Sequence, residues 1–425
     1  MSKLSQLAEN IIGSEIIKIA SEVNEKIKAG EKVYNLTIGD FDPTIFPTPN
    51  ELKNYISQEI LNDETNYPPA DGILELRKSV SNLLNKRELL NYSTDEILIA
   101  AGARPIIYSI FRTIVDQNDK VVFAVPSWNN NHYTYLNFAN QVIIEAKPEN
   151  NFMPTAGDIK PHINEASLIA LCSPQNPTGT TFTKEGLEEI CDLIIEENKI
   201  RGDKKPVYLM YDQIYWELCF GDTTHYNPVS LRPEMKKWTI FVDGISKSLS
   251  ATGIRVGWSF GPKEVIGKMK SILTHIGAWA PKAEQIATAK YLSDLDTYHK
   301  FLELQKEKIS ERLYKLYNGF ISLKSKGYKV DVIKPQAAIY LTVKFDLHGI
   351  TYDGGNVLET TSDITKFLLD KVGLAVVPFY AFGADTNSSW FRVSVGTLKL
   401  EDIDSIILSL QNQLMELDKL NSVSI

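Results

Sequence analysis

Cysteine is scarce, three residues in 425. Cys172, Cys191 and Cys219 are odd in number and no CxxC pair occurs, which excludes a disulfide framework or a zinc spacing and fits a reducing cytoplasm. A basic excess is missing as well: 45 Lys and Arg stand against 53 Asp and Glu, a formal charge of −8. Such a chain has no field to gather nucleic acid or an anionic membrane. No stretch approaches the roughly 20 apolar residues of a membrane span. The opening "MSKLSQLAENIIGSEIIKIASEVNEKIKAG" lacks a central apolar run and a small-residue cleavage site, so it reads as an amphipathic helix and not a leader. Nor is there a GxGxxG or GxxxxGK[ST] run for a dinucleotide or nucleoside triphosphate, a metal-ligand spacing, an internal repeat or a low-complexity tract. Small molecules are the expected partners.

What is present is a chain with 43% hydrophobic residues, long enough for two or three structural units at roughly 100–200 residues each. Between residues 97 and 260, short β-branched runs ("EILIA", "KVVFAVP", "QVIIEA", "SLIALCSP", "PVYLMYDQ", "WTIFVDG", "RVGWSFGP") alternate with helical patterns. This predicts an α/β unit with a mostly parallel central sheet flanked by helices. From about residue 295 a long charged helix, "YHKFLELQKEKISERLYKLYNGF", is followed by the strands "KVDVIKP", "AIYLTVKF", "GLAVVP" and "WFRVSVG" and a closing helix. We expect a large domain over 46–295 and a smaller α+β domain over 296–425, with 1–45 folded back onto it.

Open α/β sheets bind ligands at the carboxyl ends of their strands, so the polar residues just past each run come first. Lys247, in "DGISKSLSATGIRVGW", follows a buried strand. A lysine taken at random is a solvated surface charge, but an amine desolvated in a cleft near another cation has a lowered pKa and attacks aldehydes as a Schiff-base lysine. Arg255, eight residues on, can hold a phosphate bidentately. Asp212 ends "PVYLMYD" and Tyr215 lies three further; a strand-end acid often caps a helix, yet here it can keep a pyridine nitrogen protonated while the phenol meets a ring hydroxyl. Asn176 in "CSPQNPTGT" presents its amide from a rigid turn. "AAGARPIIYSIFRTI" opens a helix at Gly102, Ala103 and Arg104, where small residues let backbone N–H groups approach an anion. Trp128, among asparagines, suits stacking on a flat ring. Arg392, mid-strand, needs an anionic partner, and a substrate carboxylate is one candidate.

These residues resemble the class I/II aminotransferases, the fold-type-I pyridoxal-phosphate enzymes of the aspartate aminotransferase superfamily. "GISKSLSATGIRVG" is similar to that family's lysine signature, and "LTIGD", "YPPADGILELRKSV", "GARP", "PSW", "NPTG", "YDQIY" and "FRVSV" follow its order through nearly the whole chain. The resemblance implies a fold-type-I PLP-transferase fold with pyridoxal 5′-phosphate as cofactor. Lys247 would carry it and shuttle the substrate proton. Asp212 would pair with the ring nitrogen, Asn176 and Tyr215 with the ring hydroxyl, and Trp128 would stack on the ring. Gly102, Ala103, Arg104, Ser246 and Arg255 would surround the phosphate. Tyr67 would reach the phosphate of a neighbouring subunit, implying a homodimer with shared sites. Gly39, Trp128, Asn176 and Arg392 would bind substrate.

Some positions depart from the family pattern. Pro105 replaces an amide or glycine, Gly244 replaces a phosphate-binding serine of some branches, "PQAAIY" and "VPFYAFG" replace substrate-side glycines, and Arg104 adds a cation for the phosphate or a second substrate carboxylate. The implied activity is transfer of an amino group from an L-amino acid to a 2-oxo acid such as 2-oxoglutarate. Aspartate is suggested by "PSWNNN" and Arg104, with aromatic and diaminopimelate-like donors left open. The alternatives are a C–S lyase or ACC-synthase-like lyase of the same fold, and a non-catalytic binding module built on it.

Overall fold

Runs such as "ILIA" and "ASLIALC" are too short for buried helices and too apolar for half-exposed strands, so both their faces must be covered. In the computed structural model, which describes residues 3–11, 13 and 15–422, they form a seven-stranded sheet. Its spatial order is Ile97–Ala100, Gly257–Phe260, Thr239–Gly244, Tyr208–Asp212, Ala166–Cys172, Lys120–Val125 and Asn140–Glu145. Successive side chains take opposite faces. Leu98 and Val121 pack with Ile106, Ile110 and Met269 of the helices Ala103–Ile114 and Lys263–Ile276. Ile99 and Val122 pack with Leu76 and Ile190 of the helices Leu74–Glu88 and Lys184–Arg201. Each such burial stabilises by about 1.5–3 kcal/mol before chain entropy is charged against it.

One strand is reversed. Gly257–Phe260 runs antiparallel to both neighbours, with Gly257 opposite Ala100 and Gly244. Its first residue therefore lies at the edge where the parallel strands end. Arg255 is brought to that edge by the reversal.

A second, four-stranded antiparallel sheet takes the order Val377–Pro378, Trp390–Ser394, Tyr340–Phe345 and Val330–Val332. The helices Leu295–Ser325 and Asp402–Ser422 cover it through Leu313, Phe320, Ile406 and Leu410. Asp294 caps the first of these by accepting from Thr297 N at 3.1 Å. Tyr34–Asn35 pairs in parallel with Leu374–Ala375. The single helix expected at the amino end is two, Gln6–Asn10 and Glu15–Lys28, with Ile11 extended after the first and Gly13, a poor helix former, between them. Ile19 and Val23 of the second helix pack on Phe152, Phe379 and Phe382. Among the described residues no helix is long and apolar enough to cross a membrane, and no group of His, Cys, Asp or Glu could hold a metal ion.

Candidate active site

The strand ends converge on a cavity of about 430 Å³ between the two sheets. Lys247 reaches into it from the short helix Ile245–Ser248, entered straight from the strand Thr239–Gly244. Its Nζ donates to Gly39 O at 2.7 Å, and the Tyr215 ring centre lies 5.7 Å away. Burial lowers its pKa to about 8; Asp40 opposes the shift, while Arg392, Arg104 and Arg255 add to it. Desolvation and neighbouring cations are the two causes the sequence suggests.

Asp212, the last residue of its strand, accepts from Ile214 N at 3.0 Å. Burial pushes its carboxyl up to about 6 against that single backbone bond. It is an acceptor with capacity to spare. Tyr215 is fully buried and shares a 2.6 Å hydrogen bond with Tyr340.

At the other end of the cavity the helix Ala103–Ile114 begins with Gly102 as its N-cap. A Cβ at Gly102 would run into the Arg255 guanidinium, and its φ of +88° suits glycine. Arg255 donates to Thr252 O at 2.6 Å and Ala101 O at 2.9 Å, so the guanidinium is clamped beside free helix N–H groups. Ala103 and Ser246 line the same wall. Pro105 falls in the first turn, where its missing N–H costs no helix bond. Gly244 is also explained: a Cβ there would come within 2.8 Å of Gly257 Cα and 2.9 Å of Val256 O. A serine does not fit beside the reversed strand.

Arg392 is 1% exposed. Nη1 donates to Asn176 Oδ1 at 3.1 Å and Nη2 to Thr37 O at 2.5 Å, and the ring centres of Tyr340 and Phe382 lie 4.7 and 4.9 Å from its central carbon. Among the described residues its Nε has no partner. A buried cation held only by neutral groups is poised for an anion. Trp128 lines the cavity, with the Arg104 guanidinium 5.4 Å from its ring centre.

Of the residues singled out from sequence, eleven line this one cavity. Gly102 lies just behind it, under Arg255. Tyr67 does not join them: it is 82% exposed and stands edge-on to Trp279 at 5.2 Å. Sequence reasoning missed Tyr340, Asp40 and Thr252. Thr252 Oγ1 donates to Asp40 Oδ1 at 2.7 Å, tying the loop before Arg255 to the one that carries Gly39. The signal for Asp40 was in "LTIGD"; Tyr340 looked like any inward strand residue.

The model of the family aminotransferase class I and II matches residues 31–410. A probable aspartate/prephenate aminotransferase of Rickettsia typhi is 28% identical over 93% of this chain and 95% of its own. The aspartate aminotransferase of Bacillus sp. (strain YM-2) is 27% identical over the same shares. Among solved structures, the aspartate aminotransferase of Rhizobium meliloti superposes with a TM-score of 0.88 at 25% identity, covering 98% of this chain and all of that one. That of Thermus thermophilus with maleate gives 0.85 at 25% identity, covering 97% of this chain and 100% of its own.

Proposed function

The chain belongs to the class I and II aminotransferases, and from its site we propose that it moves the amino group of an acidic L-amino acid to a 2-oxo acid on pyridoxal 5′-phosphate held by Lys247. The observation that carries this reading is the buried amine, poised at about 8 in one cavity with Asp212 and Arg392. The donor set fits the cofactor. Asp212 has an unsatisfied carboxylate for a ring N–H, Tyr215 and Asn176 have polar atoms for a ring hydroxyl, Trp128 offers a face, and Arg255 with Gly102, Ala103 and Ser246 offers an anion cradle. Arg104 stands at the same helix end.

When bound, pyridoxal phosphate supplies an electron sink for the pair left as the substrate Cα–H breaks. The protein's own groups do the rest. Lys247 Nζ would accept the Cα proton and deliver it to the cofactor's aldehyde carbon, the shift that leaves the amino group behind when the oxo acid departs. Arg392, with Asn176 and the backbone at Gly39, grips the α-carboxylate as a fork and sets that C–H toward the amine. Arg104 receives a second carboxylate. Aspartate, prephenate and maleate each carry two, and those are the molecules in the names and title of relatives and neighbours. The relatives and neighbours reported above are aminotransferases, which disfavours the lyase reading.

Tyr67, exposed and outside the cavity of its own chain, serves a second copy in a homodimer with shared sites. The division into 46–295 against 1–45 with 296–425 is supported by the two sheets, each with its own core, the second core also taking in Tyr215, Leu218 and Phe220 and the first Tyr298 and Leu302. Working in the cytoplasm suits three free thiols. The test is to mix cofactor-loaded enzyme with L-aspartate alone and follow absorbance: one equivalent of the amino form should accumulate and turnover stop. Continuous release of oxo acid would mean elimination, and a Lys247→Ala variant with unchanged absorbance would overturn the lysine assignment.

A further inference from the structure

The turn that carries Asp212 and Tyr215 has a second face. Asp212, Ile214 and Tyr215 line the Lys247 cavity, whereas Trp216 and Glu217 line another of about 330 Å³ with Glu88 and His225. Glu88 ends the helix Leu74–Glu88 and its side chain is 4% exposed. Its Oε1 accepts from Gln213 Nε2 at 2.8 Å and its Oε2 from Asn227 Nδ2 at 2.9 Å. Gln213 directly follows Asp212. Through that amide Glu88 holds the back of the turn whose front presents the carboxylate.

Glu88 is not the only buried acid here. Glu217 pairs with Arg87 at 2.5 Å and accepts from Tyr298 at 3.1 Å. Asp243, on the strand leading to Lys247, accepts from Trp216 Nε1 and Gly244 N. Arg87 comes from the Glu88 helix, and Lys306, from the helix Leu295–Ser325, lines the cavity. The phenols of Tyr92 and Tyr211 and the Cys219 thiol are also here and uncharged, burial pushing all three up, and Tyr226 lines the same cavity. Three buried carboxyls beside one paired guanidinium cannot all ionise cheaply, so the cluster retains a proton near neutrality. His225 offers it a place to point. The imidazole is 7% exposed, neither ring nitrogen has a partner among the described residues, and its Nε2 lies 3.8 Å from Glu88 Oε2. A buried unpaired ring nitrogen is costly, and a protonated Glu88 can donate to it after a movement of about 1 Å, given a hydrogen-bond span near 2.8 Å.

We propose that Glu88 is a positioning residue for Asp212, gripping Gln213 through Oε1 most strongly as a carboxylate and, when Oε2 takes a proton, giving up Asn227 to donate to His225. Burial pushes Asp243 well above the usual carboxylate range, Glu88 and Glu217 up to about 7, and His225 down to about 3, so Asp243 keeps its proton and the one exchanged near neutrality belongs to the Glu88 and Glu217 carboxyls. As pH rises through that point the grip on Gln213 tightens. The inference rests on the cofactor reading above, because aiming Asp212 matters only if a ring nitrogen meets it.

The experiment starts with the cofactor-free protein. Trp216 lies 6.0 Å from the His225 ring and donates to Asp243, so its fluorescence reports on the cluster. Wild type should give a titration with its midpoint near 7, absent from Glu88→Gln and from Trp216→Phe. His225→Phe, which removes the acceptor for the protonated form, should move the midpoint about one pH unit lower, the worth of one hydrogen bond. In the loaded enzyme, wild-type kcat should fall severalfold below about pH 7 with KM little changed, and Glu88→Gln should flatten that limb. A midpoint near 7 that survives in Glu88→Gln, or no transition in wild type, would overturn the proposal. Failure to bind pyridoxal phosphate with the apoprotein titration intact would instead count against the cofactor reading.

Discussion

Replacing Arg392 with lysine keeps the charge and removes the fork. In the folded chain the guanidinium is fixed before any substrate arrives, through Asn176 Oδ1, Thr37 O and the rings of Tyr340 and Phe382. A carboxylate therefore meets two donors already in plane. A hydrogen bond to a charged group contributes about 1.5–3 kcal/mol, so losing one of the pair should raise KM roughly ten- to 150-fold at about 1.4 kcal/mol per decade. Alanine removes both donors and strands the carboxylate in a buried site. Truncation of that kind costs about 2–5 kcal/mol, or roughly 30-fold to several thousand-fold. Because the amino acid and the oxo acid share the α-carboxylate, both half-reactions should suffer alike, while bound cofactor stays stoichiometric. Stopped-flow half-reactions over a substrate series separate the two, KM tracking binding where chemistry is slow. If Arg392→Lys kept KM within about twofold for both substrates, or affected one alone, the carboxylate fork would lie elsewhere.

Three further outcomes follow from the same geometry. Capture of pyridoxal phosphate by the cofactor-free protein needs the neutral Lys247 amine, so its rate should climb with pH to a midpoint near 8; a midpoint near 10.5, that of an ordinary lysine, would mean the amine is not desolvated. Gly102→Ala places a methyl against Arg255 at a φ of +88°, and should lower stability by about 1 kcal/mol and weaken cofactor binding about tenfold, read by thermal melts and absorbance titration. Arg104→Gln should cut kcat/KM for aspartate roughly ten- to 150-fold, by loss of one charged hydrogen bond, and leave a donor without a side-chain carboxylate nearly untouched; equal losses for both would assign Arg104 to the phosphate.

Strand-end chemistry was legible because two signals coincide there. A buried strand announces itself by an unbroken apolar run, and the first polar residue after it has nowhere to go but the sheet edge; Asp212, Asn176, Trp128 and Lys247 were all found this way. Arg255 is instructive because local pattern placed it correctly for an incomplete reason. Its position depends on the reversal of Gly257–Phe260, and nothing in "RVGWSF" encodes strand direction. Tyr340 was invisible for a different cause: its neighbours read as core, and only the packing of the second sheet against the first brings its hydroxyl to Tyr215. Glu88 sits in "NKRELL", which has the composition of any solvated helix end. Burial there is imposed by the 213–227 segment folding over it, a contact between residues more than a hundred positions apart.

The charges in the cavity also constrain the substrate. Four cations, Arg104, Lys247, Arg255 and Arg392, face two carboxyls, Asp40 and Asp212. In the proposed assignment Asp212 is taken by the ring nitrogen and Asp40 is the one anion acting on Lys247. A phosphate brings about −1.5 to −2, which the clamped Arg255 and the helix N-terminus meet together. The α-carboxylate takes Arg392. Arg104 is then the cation left over, exposed at the cavity wall beside Trp128, where a second substrate carboxylate can pair with it. In that proposed assignment a donor with a short acidic side chain supplies a partner for Arg104 and a neutral one does not, so the Arg104→Gln comparison of the two donors decides whether the side-chain carboxylate is read there.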